Sequence, residues 1–281
     1  WSQANVHEMK RKFGHQTALT ADLVEALTRA TMKCEFAWRD ARPANDFATV
    51  KPLLGEVIHL TRQKAVMMGE QLGKSPYDAL LDEYEPDATS AEIDVIFDDV
   101  AEFLPDLLSQ VIDHQASQSP IIPLDGPFPI ETQRQLGLSL MKTLGFDFDH
   151  GRLDVSHHPF CGGNPTDIRI TTRYSVQDFT QSLMGVIHET GHALYEGGLP
   201  RDWLSQPVGQ SRSMGIHESQ SLLMEMQACR SDEFIDYIAP RLTDAFGGSG
   251  PGWTAENLGR IYTQVERGLI RVDADEVSYP L

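Results

Sequence analysis

Residues 179–195 read FTQSLMGVIHETGHALY. Phe179, Leu183, Val186 and Ile187 recur at helical spacing, so the stretch predicts an amphipathic helix. Ser175 followed by Asp178 resembles a capping box with Asp in place of Glu, and Gly197, Gly198 and Pro200 stop the helix after Tyr195. Inside it lies His188-Glu189-Thr190-Gly191-His192, an H-E-x-x-H pattern. The two histidines are one turn apart, about 40° round the axis and about 6 Å along it. Both imidazoles can therefore converge on one tetrahedral ion. Glu189 lies about 100° from His188 and about 60° from His192, so it borders the ligand face without occupying it. A carboxylate there can take a proton from a water on the metal. Gly191 costs about 1 kcal/mol against alanine in a helix interior. A close backbone neighbour, or a substrate strand, would explain it.

A catalytic zinc site usually has three protein ligands and an open position. The next helical stretch, Gly215 to Glu225, offers Glu218 and Glu225, seven residues apart and on one face. Spacing favours Glu218 only mildly; the other acid would orient an imidazole N–H from outside the ligand set. Two histidines and a glutamate make up the ligand chemistry of a hydrolytic zinc site.

Working outward, helical periodicity dominates the first half. One run opens at Thr20-Ala21-Asp22 and ends before Pro43. A second covers Phe47 to Leu72, stopped by Gly73 and Pro76. A third begins at Thr89-Ser90, with Ile93, Ile96, Phe97, Val100, Phe103 and Leu104 as an apolar stripe and acids on its other side. A fourth covers Ile130 to Leu144. Between Gly145 and Tyr174 the pattern alternates instead. Arg152–Ser156 and Asp167–Tyr174 read as strands, joined by a turn-rich loop at His157–Gly163, and a hairpin is the simplest pairing. Helical signals resume from Ser175 to Tyr195, from about Ser213 to Tyr237, and from Thr254 to the last turn before Tyr279. The fold class is mainly α, with one small β-hairpin or sheet. It reads as a single domain over 1–281, a helical lobe at 1–150 and a catalytic portion at 151–281.

The chain has 281 residues and a formal net charge of -18, which argues against nucleic acid or an anionic membrane as partner. No stretch approaches the roughly 18 apolar residues of a membrane span. Cys34, Cys161 and Cys229 are too few and scattered for a disulfide framework, so a reducing cytoplasm is the expected compartment.

Five motifs in order carry a family resemblance: His158-Pro159-Phe160; Asp167-Ile168-Arg169-Ile170-Thr171 (D-x-R-x-T); His188 to His192; His217-Glu218-Ser219-Gln220 (H-E-S-Q); and Ile270-Arg271-Val272-Asp273-Ala274-Asp275 (I-R-x-x-A-D). With them the chain resembles the thermostable carboxypeptidase Taq family of zinc metallocarboxypeptidases. The resemblance implies a zincin-type helical fold with a deep central groove, and metal held by His188, His192 and Glu218. It further implies release of single residues from peptide C-termini with broad preference, and a homodimer in the intact protein. The family's pattern extends beyond this sequence at both ends, so the chain is expected to be a middle portion of such an enzyme.

A carboxypeptidase must hold a free carboxylate, which arginine's planar fork does best. Arg271 and Arg169 are the candidates, each with a structural ion pair as its ordinary alternative; Arg173 is a third arginine in reach of the motifs. His158 in its loop could touch substrate, and His217 could donate to a substrate carbonyl or carboxylate. The function expected is zinc-dependent carboxypeptidase activity with Glu189 as general base, cobalt being a possible substitute metal. An oligopeptidase or endopeptidase with the same metal chemistry, and a folded metal-binding fragment without activity, are the alternatives.

Overall fold

The computed structural model describes residues 1–156 and 159–267 together with Val277. They form two compact units, Trp1–Asp94 with Ser205–Val208, and Val95–Leu204 with Gly209–Leu281.

The first unit is helical: α1 (Ser2–Thr17), α2 (Ala21–Ala41), α3 (Phe47–Leu72) and α4 (Pro76–Leu81). The sequence's stop and start signals act as expected. Thr20 accepts from the Leu23 N–H, Asp46 from the Thr49 N–H, and Gly73 ends α3 at φ 66°. α2 and α3 pack through Cys34, Ala41 and Val50. α1 and α4 escaped the periodicity because α1 is polar around most of its circumference and α4 is short. A buried carboxylate ties this unit together. Asp82, 2% exposed, accepts from Lys74 Nζ at 2.5 Å and the Asp87 N–H at 3.0 Å, and lies 2.7 Å from His15 Nε2 and 3.4 Å from Arg11 Nη1. Burial alone would raise its pKa, but these partners hold it well below the usual carboxylate range. Residues 205–208 join the unit through Gln206, whose Oε1 accepts from Asn5 Nδ2 at 2.5 Å.

The second unit holds most of α5 (Ser90–Ser117), then α6 (Ile130–Leu144), β1 (Gly151–Val155), β2 (Phe160–Asn164) and β3 (Asp167–Thr172). After these come α7 (Thr180–Gly197), α8 (Met214–Leu222), α9 (Asp232–Phe246) and α10 (Ala255–Tyr262). Of the apolar stripe expected on α5, Leu104 is buried but Ile96, Phe97 and Phe103 are exposed; Leu108, one turn beyond Leu104, is buried as well. α7 is the central helix. Leu183, Met184 and Ile187 enter a cluster with Leu140, Ile238 and Leu242, while Val186 and Ala193 pack on Ile168 and Ile170 of the sheet. Burying each of these larger side chains contributes about 1.5–3 kcal/mol. With both faces covered, α7 is a rigid platform for its histidines.

Several local expectations change. The expected β1–β3 hairpin is not formed. β3 lies between the other two, parallel to β1 (Leu153 opposite Ile170) and antiparallel to β2 (Cys161 opposite Ile170). The hairpin is β2–β3, and β2 is made from residues that read as loop. Gly162 and Gly163 erase the alternation, yet Gly163 is required there: its φ is 115° and a Cβ would sit 2.0 Å from the Asp167 carbonyl oxygen. The capping box at Ser175 and Asp178 is also absent. α7 starts at Thr180, whose N–H and hydroxyl both donate to Asp178 Oδ1 at 2.7 Å, while Ser175 accepts from the Gln177 N–H. Finally, the run from Ser213 to Tyr237 is two helices. After α8, residues Leu223–Ala228 form a wide π turn closed by the Cys229 N–H on the Met224 carbonyl, and Ser231 caps α9. α10 ends at Tyr262 and residues 264–267 are not helical; most of the stretch expected to be helical beyond them, towards Tyr279, lies outside the described residues. His158 and Arg271 lie outside the described residues. Among the described residues no helix is long and apolar enough to cross a membrane.

Candidate metal centre

The centre is built where α7 crosses α8. The two helices approach so closely that a Cβ on Gly191 would lie 2.6 Å from both the Gln220 carbonyl oxygen and the Ser221 Cα. The odd glycine of the H-E-x-x-H helix therefore has a backbone neighbour. Ser213 caps α8 by accepting from the Ile216 N–H at 3.0 Å, and Ser221, fully buried, donates to the Glu218 carbonyl at 2.7 Å. Its hydroxyl is also 3.3 Å from Glu218 Oε2.

The crossing brings Glu218 to the histidines. Its Oε2 is 3.2 Å from His192 Nε2 and 3.8 Å from His188 Nε2, and the three ligand atoms all lie within 4.8 Å of one another. Ligand atoms about 2.0–2.1 Å from one tetrahedral zinc stand about 3.3 Å apart. Two imidazole nitrogens and one carboxylate oxygen at this spacing fit such an ion. His192 holds the Glu218 carboxyl below its usual range, outweighing partial burial.

Glu225 sits elsewhere. Its Oε2 is 2.8 Å from His188 Nδ1, the nitrogen facing away from Glu218, and its Oε1 accepts from Arg230 Nη2 at 2.8 Å. Burial would raise its pKa, but His188 and Arg230 lower it. Burial would lower that of His188, but the Glu225 carboxylate raises it. Glu225 thus orients an imidazole from behind while Glu218 faces the ligand position.

Glu189 is 6% exposed, and its Oε2 has no hydrogen-bond partner among the described residues. Burial, and then the neighbouring carboxylates, raise its pKa against the pull of His188 and His192. An unsatisfied buried carboxylate oxygen is costly and calls for an explanation. Here it borders the ligand face, where a water or a proton would satisfy it.

The remaining candidates fall differently. Arg169 is about half exposed, and its Nε and Nη2 donate to the two oxygens of Asp167 at 3.1 and 2.9 Å, the ordinary ion pair expected as its alternative. His217 has both ring nitrogens engaged: Nδ1 lies 2.6 Å from His192 Nδ1, and Nε2 lies 2.9 Å from Glu196 Oε1. Cys161 on β2 is half-buried, its thiol pushed up to about 12 by burial and then by Glu189 and Glu196, so it stays a neutral thiol. Two members of the site were not singled out from sequence. Glu196 follows His192 by four residues, so the spacing of the histidines, continued one more turn, would have found it. Arg230 reaches Glu225 only because the chain turns after α8, and carries no sequence signal.

A family model described as carboxypeptidase Taq (M32) metallopeptidase matches residues 2–281. The chain belongs to this family. Among its members, thermostable carboxypeptidase 1 of Thermus thermophilus is 37% identical over 285 residues, covering 99% of this chain and 56% of the relative. Carboxypeptidase 1 of Bacillus subtilis is 35% identical, covering 89% of this chain and 49% of the relative. Among solved structures, Trypanosoma cruzi metallocarboxypeptidase 1 superposes with a TM-score of 0.92 at 45% identity, over 99% of this chain and 56% of that one. The chain thus spans about half the length of the curated relatives it matches.

In this family member the two acids are expected to separate cleanly in a zinc titration. Glu225→Ala, which removes support behind one imidazole, should weaken zinc by about 10–100-fold. Glu218→Ala removes a ligand and should cost more. Chelator competition measures both; an equal loss, or a greater one at Glu225, would reverse the assignment.

Proposed function

We propose that this chain is the metal-holding part of a zinc carboxypeptidase that releases single residues from peptide C-termini with broad side-chain preference. The observation that carries the reading is the His188, His192 and Glu218 cluster with the buried Glu189 oxygen beside it, which has no partner among the described residues. His188 Nε2, His192 Nε2 and a Glu218 oxygen would hold the ion. Zinc, when bound, supplies Lewis-acid polarisation of a scissile carbonyl and acidifies water. The chain's own residues do the rest. Glu189 Oε2 accepts the proton of the attacking water, its raised pKa bringing it nearer the range in which a base can also return that proton. The proton then goes to the leaving amine. Glu225 with Arg230 keeps His188 turned towards the ligand position. The same two-nitrogen, one-oxygen donor set suits cobalt as well.

The family resemblance supports a homodimer for the intact protein, and the three free cysteines support a cytoplasmic location. The experiment is hydrolysis, by the zinc-loaded chain, of an N-blocked peptide with a free C-terminus and of its C-terminal amide. Release of single residues from the free acid alone is the expected result. Internal cleavage of both peptides would make the chain an endopeptidase. Zinc bound with neither peptide cleaved would make it a silent metal-binding module.

A further inference from the structure

We propose that His217 and Glu196 form a positioning relay that fixes the tautomer and ring orientation of His192. The inference rests on the metal reading above and goes beyond it, because neither residue is a ligand or touches the reacting atoms.

The argument is one of proton positions. His192 turns Nε2 towards Glu218 and Nδ1 towards His217, 2.6 Å away. A metal-ligating imidazole offers a bare nitrogen to the ion, so its other nitrogen carries the hydrogen. Nδ1–H of His192 must then donate, and Nδ1 of His217 must accept. A neutral imidazole that accepts at one nitrogen donates at the other. His217 Nε2–H therefore points at Glu196 Oε1, 2.9 Å away, an acceptor by nature. Each hydrogen bond in the chain from Glu196 through His217 to His192 sets the direction of the next.

The placement of these residues explains why such a relay is useful. Glu196 follows His192 by one turn of α7, and His217 immediately precedes Glu218 on α8. The relay consequently ties one ligand on α7 to the chain neighbour of the ligand on α8. The Tyr195 ring packs edge-on against His217, with centroids 5.0 Å apart, and limits the swing of the imidazole. The two metal-facing imidazoles are thus supported unequally. His188 rests directly on a carboxylate that is itself held by Arg230; His192 rests on a neutral ring backed by one. A role for His217 as a donor to substrate would require breaking one of its two hydrogen bonds.

The test measures zinc and protons rather than turnover. Chelator competition on the whole chain should show His217→Ala losing about 10–100-fold in zinc affinity. His217→Asn should recover most of that loss, because its amide oxygen can accept from His192 near the place of Nδ1. Glu196→Ala should lose less than His217→Ala, since the accepting nitrogen remains. Nitrogen-15 spectra of the wild-type chain loaded with zinc should show His217 protonated at Nε2 and bare at Nδ1. Unchanged zinc affinity in a folded His217→Ala, or no rescue by asparagine, would overturn the proposal. So would an Nδ1-protonated His217 in the zinc-loaded chain, a readout that stands even where a variant fails to fold. A wild-type chain that binds no zinc would overturn the metal reading and the relay with it. Zinc binding with this tautomer but without peptidase activity would uphold the relay and sink only the proposed function.

Discussion

Glu189→Gln should lower peptide hydrolysis by about 10²–10⁴-fold, the contribution typical of a positioned general base, while the chain keeps its zinc. Glutamine preserves the shape of the side chain and its burial, so packing of α7 between the apolar cluster and the sheet is unaffected. What it removes is the ability to accept and return a proton. The same change also removes a carboxylate that burial makes unfavourable, so thermal stability should hold or rise slightly. The measurement pairs turnover of a free-acid peptide with metal content after dialysis. Near wild-type turnover would dismiss Glu189 as the base. Loss of zinc together with activity would instead make Glu189 part of what holds the ion.

Gly191→Ala should damage both stability and metal binding, against the ordinary rule. In an exposed helix interior this change stabilises by about 1 kcal/mol. At Gly191 the new methyl would meet the Gln220 carbonyl oxygen and the Ser221 Cα at 2.6 Å, both backbone atoms that cannot rotate away. Overpacking of this kind costs about 1–3 kcal/mol, more than the propensity gain. The only relief is movement of α8, which carries Glu218, so zinc affinity should fall at least about tenfold with the loss of the ligand's position. Gly185, also in α7, is the control: among the described residues a Cβ there meets only Pro159 Cγ, at 3.8 Å, so Gly185→Ala should hold or gain stability and keep its zinc. Melting temperature and chelator competition on the two variants decide the matter. A Gly191→Ala chain as stable and as tight for zinc as Gly185→Ala would show that the crossing tolerates more room than its geometry allows.

Much of the molecule was legible because the deciding physics is local. The bounds of α3 and α6 agree with Phe47 to Leu72 and Ile130 to Leu144, since each is a long periodic run with a clear stop at Gly73 or Gly145. His188, His192 and Glu189 follow from the pitch of one helix alone. Where the sequence misled, a non-local term decided. Phe160–Asn164 lacks any strand pattern, yet pairs with β3 because its backbone groups find partners there. The helix expected to run through Met224 breaks into a π turn, which sets Glu225 against His188 and Arg230.

The sequence by itself determined the helical class, the pair of histidines that share a face and the carboxylate beside them, because helix pitch converts spacing into direction without reference to anything else. Glu218 and Glu225 share a face of the same stretch, and residue spacing cannot rank them; only the family resemblance preferred one. Tertiary structure assigned them opposite places by crossing α8 over Gly191, so that one carboxylate met the bare side of the imidazoles and the other the far nitrogen of His188. It also recruited Glu196 and His217 into one hydrogen-bonded chain. Distances between elements depend on the close packing of both, and a linear pattern carries no record of that distance.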